Sequence, residues 1–88
     1  MGKLLVIKGR DDEQLRLAES VEGAMILLLQ DGVYLATSPI KEECEVYVSA
    51  RDVEMRGIHM KLHKSAALAD NTEIVKLLLE RGHTVINL

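Results

Sequence analysis

The stretch Ala24-Met25-Ile26-Leu27-Leu28-Leu29-Gln30-Asp31-Gly32-Val33-Tyr34 decides the fold of this 88-residue chain. Its first six residues form the most apolar run in the sequence and show no polar alternation. A strand with one solvated face alternates, so an unbroken run is the pattern of a central parallel strand covered by helices on both faces. A buried helix is the rival reading. Gly23 in front and Asp31-Gly32 behind leave too little length for one, so residues 24–29 are read as a strand.

Working outward, Leu4-Leu5-Val6-Ile7 is a second unbroken apolar run and predicts a buried strand over residues 3–8. Asp11 or Asp12 then caps a helix whose stripe is Leu15, Leu17, Ala18 and Val21, ended by Gly23. On the other side, Val33 to Ser38 reads as a short helix stopped by Pro39, because the residue before proline is pushed out of the α region. Residues 42–49 read as the third strand, with β-branched and aromatic residues from Val46 onward. Ala50 to Arg56 makes two helical turns, with Ser49 or Asp52 at the N-terminal end and Gly57 at the other. Residues 58–64 are irregular and basic, and Ser65 to Ala69 is a fourth strand. Asn71 or Thr72 caps a last helix with Ile74, Val75, Leu77, Leu78 and Leu79 on a wide apolar face, Gly82 stops it, and 84–88 is the closing strand. Strands alternating with helices predict an α/β fold: a three-layer α/β/α sandwich with a mainly parallel sheet of about five short strands. Residues 1–88 are too few for more than a single domain.

Composition narrows the function classes. At 48% hydrophobic and 28% charged residues, the chain is globular rather than disordered. Tyr34 and Tyr47 are the only aromatics, which supplies base stacking poorly, and a net charge of -3 argues against a broad phosphate footprint. No direct nucleic-acid contact is expected. The single cysteine, Cys44, cannot close an internal disulfide or fill a thiolate tetrad. The run from Leu4 to Ile7 is too short for a signal segment, no stretch approaches a membrane span, and Gly2 lacks the context of a lipid anchor, so a cytoplasmic protein away from the membrane is expected.

In an open parallel sheet, ligands gather beyond the carboxyl ends of the strands. Those positions are Gly9 to Asp12, Gln30 to Gly32, Ser49-Ala50 and Asp70-Asn71. None has the glycine spacing of a phosphate cradle, and Asp11-Asp12 suits helix capping. His59 and His63 have the four-residue spacing of metal ligands on a helix. Gly57 ends the preceding helix and no glutamate lies between them, so a solvated basic loop with Arg56, Lys61 and Lys64, able to meet an acidic partner, is the better account. No metal and no cofactor are expected. His83, beside Gly82, reads as a cation facing a helix C-terminus.

The segment from Leu27 to Tyr34 also resembles the signature of the TusB/DsrH branch of the DsrE/DsrF/DsrH sulfur-relay superfamily. The resemblance continues through Val46-Tyr47-Val48 and Asp52-Val53-Glu54-Met55-Arg56-Gly57-Ile58, and resumes around Ala66 to Leu79. It implies a small α/β subunit of a hetero-oligomer that passes persulfide sulfur, toward 2-thiouridine at the tRNA wobble position in the Tus system or within sulfur oxidation in the Dsr system. The implied partners are DsrE/TusD-like and DsrF/TusC-like subunits, or other copies of the chain itself.

That chemistry needs a thiolate to attack a terminal sulfane sulfur. In the active DsrE-type subunits the carrier cysteine lies just after the third strand, at a fixed distance before the Arg-Gly closing the next helix, and the equivalent residue here is Ser49. A serine hydroxyl cannot carry a persulfide and is too weakly acidic to attack without a positioned base. Ser49 is therefore read as a helix cap. Cys44 lies at the opposite end of the third strand among Glu42, Glu43 and Glu45, whose charges raise a thiol's pKa and repel an anionic persulfide. A structural thiol is expected there, and a noncatalytic accessory subunit overall, with the partner interface at Gln30, Asp31, Gly32, Val33 and Tyr34. The alternative is a stand-alone homo-oligomeric binding or regulatory module of the same fold.

Overall fold

The structure is a computed structural model that describes residues 2–79 and 83–88. The apolar runs become β1 (Gly2–Ile7) and β2 (Met25–Leu28), joined by β3 (Glu45–Ser49), β4 (Ala66–Ala69) and β5 (His83–Asn87) in one sheet of order β4-β3-β2-β1-β5. Every pairing is parallel. The helices are α1 (Asp12–Glu19), α2 (Ala50–Arg56) and α3 (Asn71–Leu79), with a 3-10 segment over Gln30–Thr37.

Strands β1 to β4 step in one direction and β5 lies on the other side of β1. Right-handed crossovers then place α1, the 3-10 segment and α2 on one face and α3 on the other. The two apolar clusters agree: Leu5, Ile7, Ile26, Leu28, Val46 and Val48 pack with Leu15, Val33 and Val53, whereas Leu4, Val6 and Leu27 pack with Ile74. Because both faces of β1 and β2 are covered, neither strand has a polar side to alternate with, which is why their sequences run unbroken. The α/β/α sandwich is as expected, with an all-parallel sheet.

Several boundaries differ from expectation. Helix α1 ends at Glu19, four residues before Gly23, because the Ser20 hydroxyl donates to the Leu17 carbonyl at 2.6 Å and competes with continuation of the helix. The short helix expected over Val33 to Ser38 begins at Gln30 and is 3-10, and Ser38 before Pro39 is extended, as proline demands. Strand β3 begins at Glu45 rather than Glu42, residues 42–44 forming the turn that leads into it. Helix α3 is capped by Asp70 rather than Asn71 or Thr72: Glu73 N–H donates to Asp70 Oδ1 at 2.8 Å and Asp70 N–H to Glu73 Oε1 at 3.2 Å, a reciprocal capping box. The apolar face of α3 is narrower than its sequence suggests, with Ile74 buried and Val75 and Leu79 exposed. Gly82, expected to stop this helix, lies outside the described residues, as does the side chain of His83.

Candidate functional site

The turn after β2 is built against the end of β1. Leu29 N–H donates to the Ile7 carbonyl at 3.0 Å, and Gly32 N–H donates to the carbonyls of Leu29 at 2.9 Å and Lys8 at 3.1 Å. So close an approach of two backbones leaves no room at residue 32 for a side chain: a Cβ on Gly32 would sit 2.3 Å from the Ile7 carbonyl oxygen. Gln30 adopts the left-handed region at φ 51°, a conformation that glycine or asparagine takes more easily.

That turn is fastened to α2 by charge-assisted hydrogen bonds. Arg56 Nε and Nη2 both donate to Asp31 Oδ1, at 3.1 and 3.0 Å, while its Nη1 reaches Asp52 Oδ1 at 3.4 Å. The second Asp52 oxygen, Oδ2, accepts the Gln30 backbone N–H at 2.8 Å. Ser49 starts the same helix, its Oγ accepting from Asp52 N–H at 3.2 Å, and Gly57 closes it in the left-handed conformation at φ 63°. The Gln30-Asp31-Gly32 turn and the Asp52 to Gly57 segment, far apart in sequence, thus form one polar cluster at the carboxyl ends of β2 and β3.

Within the five-residue turn region, the structure separates surface from support. Gln30 and Asp31 are exposed, Gly32 and Val33 are buried, and Tyr34 is half-buried with the Arg10 guanidinium 4.2 Å above its ring. Beside the turn, a cleft of about 390 Å³ is lined by Gln30, Ser49, Arg51, Asp52, Met55 and Asn71. Ser49 is 3% exposed. It is the helix cap that its sequence position suggested.

Cys44 lies at the other end of β3, about 16 Å from Ser49 at the usual rise of a strand. It borders a cavity of about 610 Å³ with Glu19, Glu22, Lys41, Glu43 and Glu45. Burial pushes the thiol pKa up, the charges of Glu19 and Glu43 push it further, and Lys41 opposes them. The Glu19 contribution was invisible in sequence, since residues 19 and 44 are brought together only by the fold. Its carboxylate is nearly closed off, accepting from Arg16 at 2.6 Å and from the Lys41 N–H at 2.9 Å. Asp52 was also underestimated: read only as an alternative cap, it is the residue that joins the turn to α2. Its i, i+4 spacing to Arg56 was the available signal.

His59 sits in a short 3-10 turn, His59–Lys61, and His63 Nδ1 accepts the Ser65 N–H at 3.1 Å, so the two imidazoles do not share a helical face. Among the described residues no group of three or more His, Cys, Asp or Glu is placed to hold a metal ion, and no helix is long and apolar enough to cross a membrane.

A family model for DsrH-like proteins matches residues 10–84, a span that holds the turn, both ends of β3 and α2. No curated protein matches the chain.

Proposed function

The chain belongs to the DsrH-like family, and from that premise we propose that it is a noncatalytic subunit of a sulfur-relay complex, passing persulfide sulfur toward 2-thiouridine at the tRNA wobble position. The observation that carries this reading is Ser49: at the carboxyl end of β3, where the active subunits hold their carrier cysteine, stands a hydroxyl engaged in capping α2. The thiol that is present, Cys44, is at the wrong end of the strand, and burial together with the charges of Glu19 and Glu43 pushes its pKa up. A persulfide carrier needs the thiolate, so this environment works against the role.

On this reading the chain contributes structure. Its Gln30-Asp31 turn, held rigid by Arg56 and Asp52 and backed by Gly32, Val33 and Tyr34, is the edge that DsrE/TusD-like or DsrF/TusC-like subunits meet in the cytoplasm. Thiol chemistry then stays in those subunits, and tRNA is not contacted by this chain. The test is co-purification from the native cell with mass spectrometry of partners. DsrE- and DsrF-like chains in the complex are expected, and a chain that always emerges alone would overturn the assignment.

Strand β4, which pairs with β3 alone among the described residues and so ends the sheet, favours a second reading, a stand-alone homo-oligomeric binding or regulatory module. Neighbouring DsrE- and DsrF-like genes would argue for the relay, and their absence for the module.

A further inference from the structure

The cleft beside the Gln30 turn stands where the chain changes sides. After β3 the chain enters α2 on one face of the sheet, and after β4, the neighbouring strand, it enters α3 on the other. The stepping of the strands reverses at the same place, since β5 returns to the far side of β1. Helices that diverge from adjacent parallel strands open a crevice at the carboxyl ends of those strands, and an open α/β sheet takes its ligands there. In this chain the crevice is the cleft of about 390 Å³, bordered by Ser49, the last residue of β3, and Asn71, the first of α3.

Its polar groups have bonding capacity to spare. Ser49 is 3% exposed, and its Oγ accepts from the Asp52 N–H while its own O–H meets no acceptor among the described residues. A buried donor left in that state is costly, so an acceptor brought to it is held. The Arg51 guanidinium and the side-chain amides of Gln30 and Asn71 border the same cleft and likewise make no hydrogen bond or ion pair among the described residues. Asp52, the acid in the lining, is engaged at both oxygens, by Arg56 and by the Gln30 N–H. Leu29, Met55 and Ile74 supply an apolar wall.

We propose that this cleft binds a small aliphatic carboxylate. Arg51 presents the planar fork that takes both oxygens of a carboxylate, and the Ser49 O–H and the two amides supply donors for its remaining lone pairs. The apolar wall takes the hydrocarbon end, the usual division of labour in a small-molecule site. Charge selects a monoanion. Asp31, Asp52 and Arg56 together leave one negative charge beside the cleft, and Arg51 is the unpaired cation in its lining, so a dianion such as phosphate is repelled where a single charge is held. The inference uses only the cleft and does not rest on the relay reading.

Titration of the full chain with sodium butyrate, followed by the NMR shifts of its backbone amides, tests it. Butyramide, the neutral isostere, and inorganic phosphate at alkaline pH, where it is a dianion, are titrated alongside at matched ionic strength. Butyrate is expected to shift the Ser49, Asp52 and Asn71 amides saturably, with a Kd on the order of 1 mM for so small a ligand. Butyramide and phosphate are expected to give no saturable shift over the same range. Arg51→Gln is expected to raise the butyrate Kd about ten-fold and Ser49→Ala several-fold. Arg51 is exposed and outside the core, so Arg51→Gln decides the matter should Ser49→Ala, which also loses a helix cap, fail to fold. No saturable shift with butyrate, equal affinity for butyramide or phosphate, or wild-type affinity in Arg51→Gln would overturn the proposal.

Discussion

Arg56 donates two hydrogen bonds to one oxygen of Asp31, across 25 positions of sequence, and a third to Asp52 on its own helix. The guanidinium thereby joins the turn after β2 to the helix after β3. Asp31 is 61% exposed on its side chain, so solvent screens that pair, whereas Arg56 and Asp52 are each 21% exposed. Replacing Arg56 by Ala is expected to lower stability by about 1 kcal/mol, read from urea denaturation. Arg56→Lys should recover little of it, because an ammonium cannot present the planar fork that reaches both carboxylates.

Gly32 offers the sharpest mutational contrast. A Cβ there meets the Ile7 backbone 2.3 Å away, and a strand carbonyl inside the sheet cannot move aside. Gly32→Ala is expected to destabilise by about 3 kcal/mol, at the upper end of overpacking effects. Gly9→Ala, where a Cβ meets nothing within 4 Å, should change stability by about 0.5 kcal/mol at most. Thermal denaturation of the two variants side by side reads the difference.

Ser49→Ala removes the Oγ that accepts the Asp52 N–H and should lower stability by about 1 kcal/mol, the usual effect of losing a helix cap. Ser49→Thr, which keeps the acceptor, should recover part of that loss.

The pH response of Cys44 follows from its neighbours. Burial and the charges of Glu19 and Glu43 raise its pKa, so alkylation by iodoacetamide should stay slow through neutral pH and rise only above the ordinary thiol range. Glu19→Gln should move that rise to lower pH. The linked stability has a definite sign: it is fully present below the thiol's unfolded pKa and is lost as pH rises from there through the folded value. Urea melts above and below that window should show the loss, and Cys44→Ser should abolish it.

The strands were legible because burial on both faces writes itself as unbroken apolar sequence, as in Leu4 to Ile7 and Met25 to Leu28. Ser49 and Gly57 were legible as the ends of α2, since capping is a local matter. The end of α1 was not, because a single hydroxyl at Ser20 decided it before the glycine could. The pairing of Asp31 with Arg56 was hidden for a different reason. Each residue alone reads as a solvated charge, and only the parallel placement of β2 beside β3 brings the following turn and helix together. The same holds for Glu19 beside Cys44, whose electrostatics sequence neighbours described only in part.

The central claim is that this subunit supports sulfur relay without carrying sulfur. The most direct measurement reconstitutes transfer from a persulfide donor through the partner subunits that co-purify with the chain, comparing wild type, Cys44→Ser and no added chain, with intact-mass analysis of each subunit. The account predicts that transfer requires the chain, runs equally well with Cys44→Ser, and leaves no sulfur atom on Cys44. Sulfur that appears on Cys44 and moves on to an acceptor, together with loss of transfer in Cys44→Ser, would contradict it.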